Sequence, residues 1–175
     1  MLKEKEDKML SKLLELLPTI PLLLQDIDRW HAVKVVYHPP IVWRLWTQIN
    51  DNRLYLHKIE PCNSSEALFH PHPWPSAIYI LDGDYEMKIG YSCDDKPPPI
   101  AATLVLSKNS SYEMMDSNGW HSVRPIIKSS LSIMLAGKPW HKSKKQDGEL
   151  MQNLCESDKS ALFDTFRTKI YELGK

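Results

Sequence analysis

Residues 69–86 read Phe69-His70-Pro71-His72-Pro73-Trp74-Pro75-Ser76-Ala77-Ile78-Tyr79-Ile80-Leu81-Asp82-Gly83-Asp84-Tyr85-Glu86. Two histidines two positions apart on extended backbone point to the same side. Their Cα atoms stand about 7 Å apart, and imidazoles that each reach about 2.1 Å from nitrogen to metal can converge on one ion across that gap. Pro71 and Pro73 favour extended backbone at the residues before them, His70 and His72. They also remove ladder donors, which suits a strand end or barrel rim better than a central strand. Alone the spacing is weak, because two surface histidines in a Pro-rich loop read the same way.

The surroundings strengthen it. After the pair comes the apolar run Ile78–Leu81, then Asp82-Gly83, a two-residue hairpin signal, then another β-prone run. Further on, Asn118-Gly119-Trp120-His121 puts a third histidine just past a turn, at the start of a strand. The same texture extends on both sides. Candidate strands are 33–37, 41–49, 53–60, 77–81, 85–91, 102–107, 120–126 and 131–135, with Asn50-Asp51-Asn52 as a further turn and the proline-rich segment 93–100 as a surface loop. Short strands at this spacing predict a sandwich or closed barrel, not a βαβ fold.

This order of features resembles the cupin superfamily. Its first motif holds a His-x-His pair, a carboxylate a few residues on and then a glycine, and its second is a Pro/Gly turn leading to a third histidine. His70, His72 and His121 match the three metal-binding histidines, and Gly83 matches the first motif's glycine. The phrase His72-Pro73-Trp74, followed by an apolar strand and Gly83-Asp84-Tyr85-Glu86, is similar to a group of small cupins. In these a later strand also ends in Gly near a Trp, as Leu135-Ala136-Gly137-Lys138-Pro139-Trp140 does here.

The resemblance spans residues 40–141 and implies an all-β fold, a cupin-type double-stranded β-helix (jelly-roll) barrel with short α-helical N- and C-terminal extensions. The organisation expected is an N-terminal helical extension over 1–31, the barrel over 32–142, and a linker and helix over 143–175. The resemblance also implies one divalent transition metal on His70, His72 and His121, with Fe(II) favoured and Zn, Ni, Mn or Cu also suited to imidazole. The chain departs from the pattern in two places. The first-motif glutamate falls near Ser76 or Ala77, and the second motif lacks its proline, with Gly119 one residue closer to His121 than expected. A set of three neutral histidines resembles the thiol dioxygenases of the superfamily, but their paired Cys and Tyr are not recognisable here.

The termini read as helices. Met9, Leu10, Leu13, Leu14, Leu16 and Leu17 recur at helical spacing up to Pro18, and a second piece is expected from Leu22 to about Trp30. At the other end Ser157 is the expected N-cap of a helix with Leu162, Phe163, Phe166, Ile170 and Leu173 on one face and Gly174 at its end. The N-terminal helix is expected to pack on its own domain, with an interaction helix as the alternative. The Lys-rich stretch 141–145 reads as a solvated linker.

Composition narrows the partners. Lys+Arg and Asp+Glu both number 22, so no electrostatic footprint favours nucleic acid or an anionic membrane. The apolar stretch 13–24 contains Glu15, Pro18 and Pro21 and is too short to span a bilayer. Cys62, Cys93 and Cys155 form no C-x-x-C and are odd in number, which suits reduced thiols and a cytoplasmic protein. The expected partner is a small-molecule substrate or ligand, with a homodimer left open.

The function expected is a metal-binding cupin, foremost a non-haem iron oxygenase or dioxygenase acting on a small organic molecule. A non-redox isomerase or hydrolase, or a sensing module without catalysis, are the alternatives. No catalytic residue is assigned. Ser76, Ile78 and Ile80 share the parity of the histidine pair, Val123 shares that of His121, and Trp74 and Trp120 lie near a mouth or in packing. Arg44 is a candidate for a substrate carboxylate, against the commoner solvent-facing reading of an arginine in a strand. His31, His38, His57 and His141 lack a partner at ligand spacing, with His38 nearest the expected barrel mouth.

Overall fold

The computed structural model describes residues 8–94, 96–140 and 151–173. The stretch 141–145 and Gly174 therefore lie outside the described residues. The chain opens with α1 (Met9–Leu16), a single 3₁₀ turn (Leu17–Thr19) and α2 (Ile20–Leu23). Among the described residues eleven strands follow: β1 (His31–Val35), β2 (Val42–Ile49), β3 (Asn52–Ile59), β4 (His70–Pro71), β5 (Ser76–Asp82), β6 (Asp84–Tyr91), β7 (Ala102–Ser107), β8 (Ser111–Met114), β9 (Gly119–Pro125), β10 (Ser130–Ala136) and β11 (Met151–Asn153). The chain then enters α3 (Glu156–Leu173).

The strands form two antiparallel sheets, ordered β11-β1-β2-β3-β10-β5-β8 and β4-β9-β6-β7. From β3 onward the chain crosses repeatedly between them, the jelly-roll way of closing a barrel from two sheets. Asp82-Gly83 lies at one of these crossings. The hairpin expected there is not formed, because β5 pairs with β10 and β8 while β6 pairs with β9 and β7. Gly83 instead turns a corner, with φ at +78°, and a Cβ there would sit 3.1 Å from Ser130 Cα. Only glycine combines that φ with that approach at little cost. By contrast, Asn50-Asp51 does close a hairpin, joining Ile49 and Asn52 as register partners, with Asn50 at φ +52°.

The large sheet is buried on both faces. Leu45, Leu54, Leu56, Ala77, Leu81, Ile133 and Leu135 face a core shared with Met9 and Leu13 of α1 and with Leu162, Phe163, Phe166 and Ile170 of α3. Burying such side chains contributes about 1.5–3 kcal/mol each, so the terminal helices are part of the domain's core. The alternate residues Tyr55, Ile78 and Met134 face the other way, into the barrel. The sequence expected α2 to run from Leu22 to Trp30, but it stops at Leu23. The Asp26 carboxylate accepts from the Asp28 N–H, and Trp30 Nε1–H donates to the Leu23 carbonyl, so local polar contacts displace further helix. α3 begins at Glu156, which puts Ser157 inside the first turn instead of at the cap. Among the described residues no helix is long and apolar enough to cross a membrane.

Candidate metal centre

β4 is two residues long, yet it fixes the site. His70 is the register partner of His121 on β9, so the first histidine of the pair and the third histidine face each other across one ladder. His72 lies in the following turn, and its ring meets that of His121 at 4.4 Å between centroids and that of His70 at 5.7 Å. His70 and His121 stand 5.1 Å apart. One ligand nitrogen from each ring lies within 4.8 Å of the others, an arrangement that can hold a metal ion. Two nitrogens bound to one ion stand at most about 4.2 Å apart, so small side-chain rotations close the cluster on an ion.

The hydrogen bonds around the rings favour this. His70 Nδ1 lies 3.1 Å from the Leu68 carbonyl, which can only accept, so the proton sits on Nδ1 and Nε2 is left with its lone pair. His72 Nδ1 lies 2.8 Å from Ser76 Oγ. His121 Nδ1 is buried with no hydrogen-bond partner, a costly state that coordination to an ion would relieve. Burial, helped by the neighbouring His70 and Arg44 charges, holds His72 down to about 3. His70 falls to about 4, chiefly by burial, and burial takes His121 well below the ordinary imidazole range. All three rings are therefore neutral at physiological pH, as metal ligation requires. The donor set fits one divalent transition ion held by His70, His72 and His121.

The histidines border an interior cavity of about 110 Å³ between the sheets. Its walls include Val35, Val42, Ile59, Leu68, Trp74, Ile78, Tyr85, Tyr112, Val123 and Met134. Ile78 and Val123 stand there with the parity read from the sequence, but Ile80 packs with Tyr85 and Met87 instead; Trp74 also lines the cavity, whereas Trp120 packs on Phe69. Tyr85 donates to Tyr112 at 3.1 Å, and burial raises both phenols, Tyr112 to about 12, so both stay protonated. Tyr112 lies 6.4 Å from His121, ring to ring.

The structure gives three residues a definite place. Ser76 stands in the slot of the missing glutamate, but its fully buried hydroxyl lies against His72 Nδ1 and orients that ring. Arg44 is only partly exposed, against the commoner solvent-facing reading. It lines the cavity, and its Nε–H donates to His57 Nε2 at 2.9 Å, across the ladder where the two are register partners. His57 is accordingly a buried acceptor, with a pKa driven well below normal by burial and by Arg44. His38 does lie at the mouth, its ring 6.2 Å from His70. His31 stacks on Trp46 away from the site. Glu86 is occupied by Arg124 and Ser64, and Tyr79 by Asn109, so neither serves the histidines.

Hydroxypropylphosphonic acid epoxidase from S. wedmorenis superposes with a TM-score of 0.50 at 16% identity, over 64% of this chain and 57% of that one. Its Fe(II) form, HppE, gives 0.50 at 17% identity over 62% and 57%. The chain has the cupin fold. It spans 57% of the length of these two structures. KdgF from Halomonas sp. aligns at a TM-score of 0.44 and 15% identity, over 60% of this chain and 86% of that one. No family model matches the chain, and no curated protein does.

Proposed function

We propose that the protein is a metal-dependent cupin enzyme in which His70, His72 and His121 hold ferrous iron and a small organic molecule is oxidised by dioxygen. The observation that carries this reading is the cluster of three neutral imidazoles opening onto a small, mostly apolar cavity. Three protein ligands on one side of an ion leave adjacent positions for a substrate and for dioxygen, the arrangement used at facial non-haem iron sites. The Fe(II) structure of a protein with the same fold supports iron at this site. When bound, the ion supplies Lewis acidity and redox chemistry. The chain's own residues do the rest. Ser76 and the Leu68 carbonyl orient two of the rings, the apolar walls exclude water, and Tyr112 keeps an O–H donor beside His121.

Three histidines without a carboxylate also make the zinc site of carbonic anhydrase. That donor set favours, as a second reading, a zinc enzyme that activates water or a carbonyl. Nitric oxide separates the two. The anaerobic ferrous protein should bind it with a paramagnetic signal that His70→Ala loses, and should consume oxygen with a suitable small substrate. Zinc that resists replacement by iron and keeps an exchangeable water would overturn the iron reading in favour of the second.

A further inference from the structure

Arg44 is a partly buried cation with no carboxylate beside it among the described residues. The cavity that it lines contains no Asp or Glu among the described residues, and its one hydrogen bond is to a neutral imidazole, His57. Its guanidinium also lies over the uncharged ring of Tyr55, 5.1 Å from the centroid. Guanidinium remains protonated under all ordinary conditions. A guanidinium drawn partly out of water onto a cavity wall is normally paired, so the missing carboxylate is the informative feature. The contact with His57 also uses only Nε–H, which leaves the two terminal nitrogens with no hydrogen-bond partner among the described residues. Those nitrogens are the edge that grips a carboxylate in two-pronged fashion.

The rest of the cavity agrees. Trp74 lines it too, and its Nε1–H is buried without a partner, a second donor with nothing to donate to. Arg53 stacks on the Trp74 ring at 4.7 Å and adds positive charge at that end. The three histidines border the same cavity as Arg44. The volume of about 110 Å³ is small beside the roughly 300–1,000 Å³ of pockets for drug-sized ligands.

We infer that the site takes a small monocarboxylate, its carboxylate on Arg44 and its remaining few atoms directed at the three histidines. The inference rests on the metal reading above only for the direction of the substrate's far end; the anion site stands on Arg44 alone.

The test uses propionate as probe and propionamide as its neutral counterpart, with binding to the purified protein followed by ligand-detected NMR. Wild type should bind propionate and discriminate against propionamide by roughly tenfold or more, the value of a charge-assisted hydrogen bond. R44M should lose that discrimination and R44K should retain part of it. If R44M fails to fold, the wild-type comparison of acid with amide still decides. Failure of wild type to bind propionate, equal affinity for the amide, or equal propionate affinity in wild type and R44M would each overturn the inference. His72→Ala tests the other reading by itself. Arg44-dependent propionate binding in a protein whose metal content His72→Ala leaves unchanged would sustain the anion site while refuting the metal.

Discussion

Ser76→Ala removes one hydroxyl and should weaken metal binding about 10- to 100-fold, the usual cost of deleting the partner that orients a ligating histidine. The structure leads to a similar figure by a separate route. Ser76 has no exposed surface, and its place on β5 is fixed by register with Ala136 on one side and Met114 on the other. Neither water nor backbone movement can easily replace the lost oxygen. In the bound state His72 ligates through Nε2 and must carry its proton on Nδ1, which would be buried and unpartnered in the variant. That costs about 1–3 kcal/mol, or roughly 5- to 150-fold in affinity. The metal-free ring escapes most of this penalty by changing tautomer or turning, so the loss falls on binding. Competition against a series of chelators, with Co(II) or Zn(II) as the reporter, measures it directly. A Ser76→Ala affinity within twofold of wild type, in a preparation where His72→Ala does lose the ion, would refute the assignment of Ser76 as the group that orients His72.

The metal-free protein should lose stability as pH falls. The folded-state values of His57, His70, His72 and His121 lie below those of the unfolded chain, so between about pH 6.5 and 4 the unfolded state binds protons that the native state does not. Denaturant midpoints should be constant above about pH 7 and drop steadily below pH 6.5; a flat profile to pH 5 would show that these rings are not held neutral. Gly83→Ala should destabilise by about 1–3 kcal/mol, read as a lower melting temperature, because the new Cβ meets Ser130 and Ser129 backbone at positive φ. His38→Ala should leave metal content unchanged, since His38 is turned to the Pro39 carbonyl; loss of the ion would add His38 to the ligand set.

Much of the site was legible because its logic is local. The prolines at 71 and 73 hold the His-x-His segment extended, and parity alone placed Ile78 and Val123 on the cavity wall. What the sequence could not show depends on pairing between distant strands. Arg44 reads as a solvent-facing strand residue until β2 and β3 are seen edge to edge, with His57 opposite it and the second sheet closing over both. The proper signal was the alternation Arg53-Tyr55-His57 against Leu54-Leu56, which marks an inner face rich in polar groups. The strands Ser111–Met114 and Met151–Asn153 were missed because each is short and pairs at a sheet edge. Asp82-Gly83 misled for a physical reason as well: the glycine that a tight hairpin needs is the same residue that a corner between sheets needs.

Both catalytic roles proposed for this cavity require that His70, His72 and His121 hold one ion. Element analysis of the purified chain, with His72→Ala and His121→Ala alongside, addresses this most directly. The wild type should carry close to one divalent transition metal per chain, and each variant should lose most of it, because two imidazoles make a poor site. The same metal content in wild type and both variants, or a wild type that takes up no transition metal when one is supplied, would contradict the account.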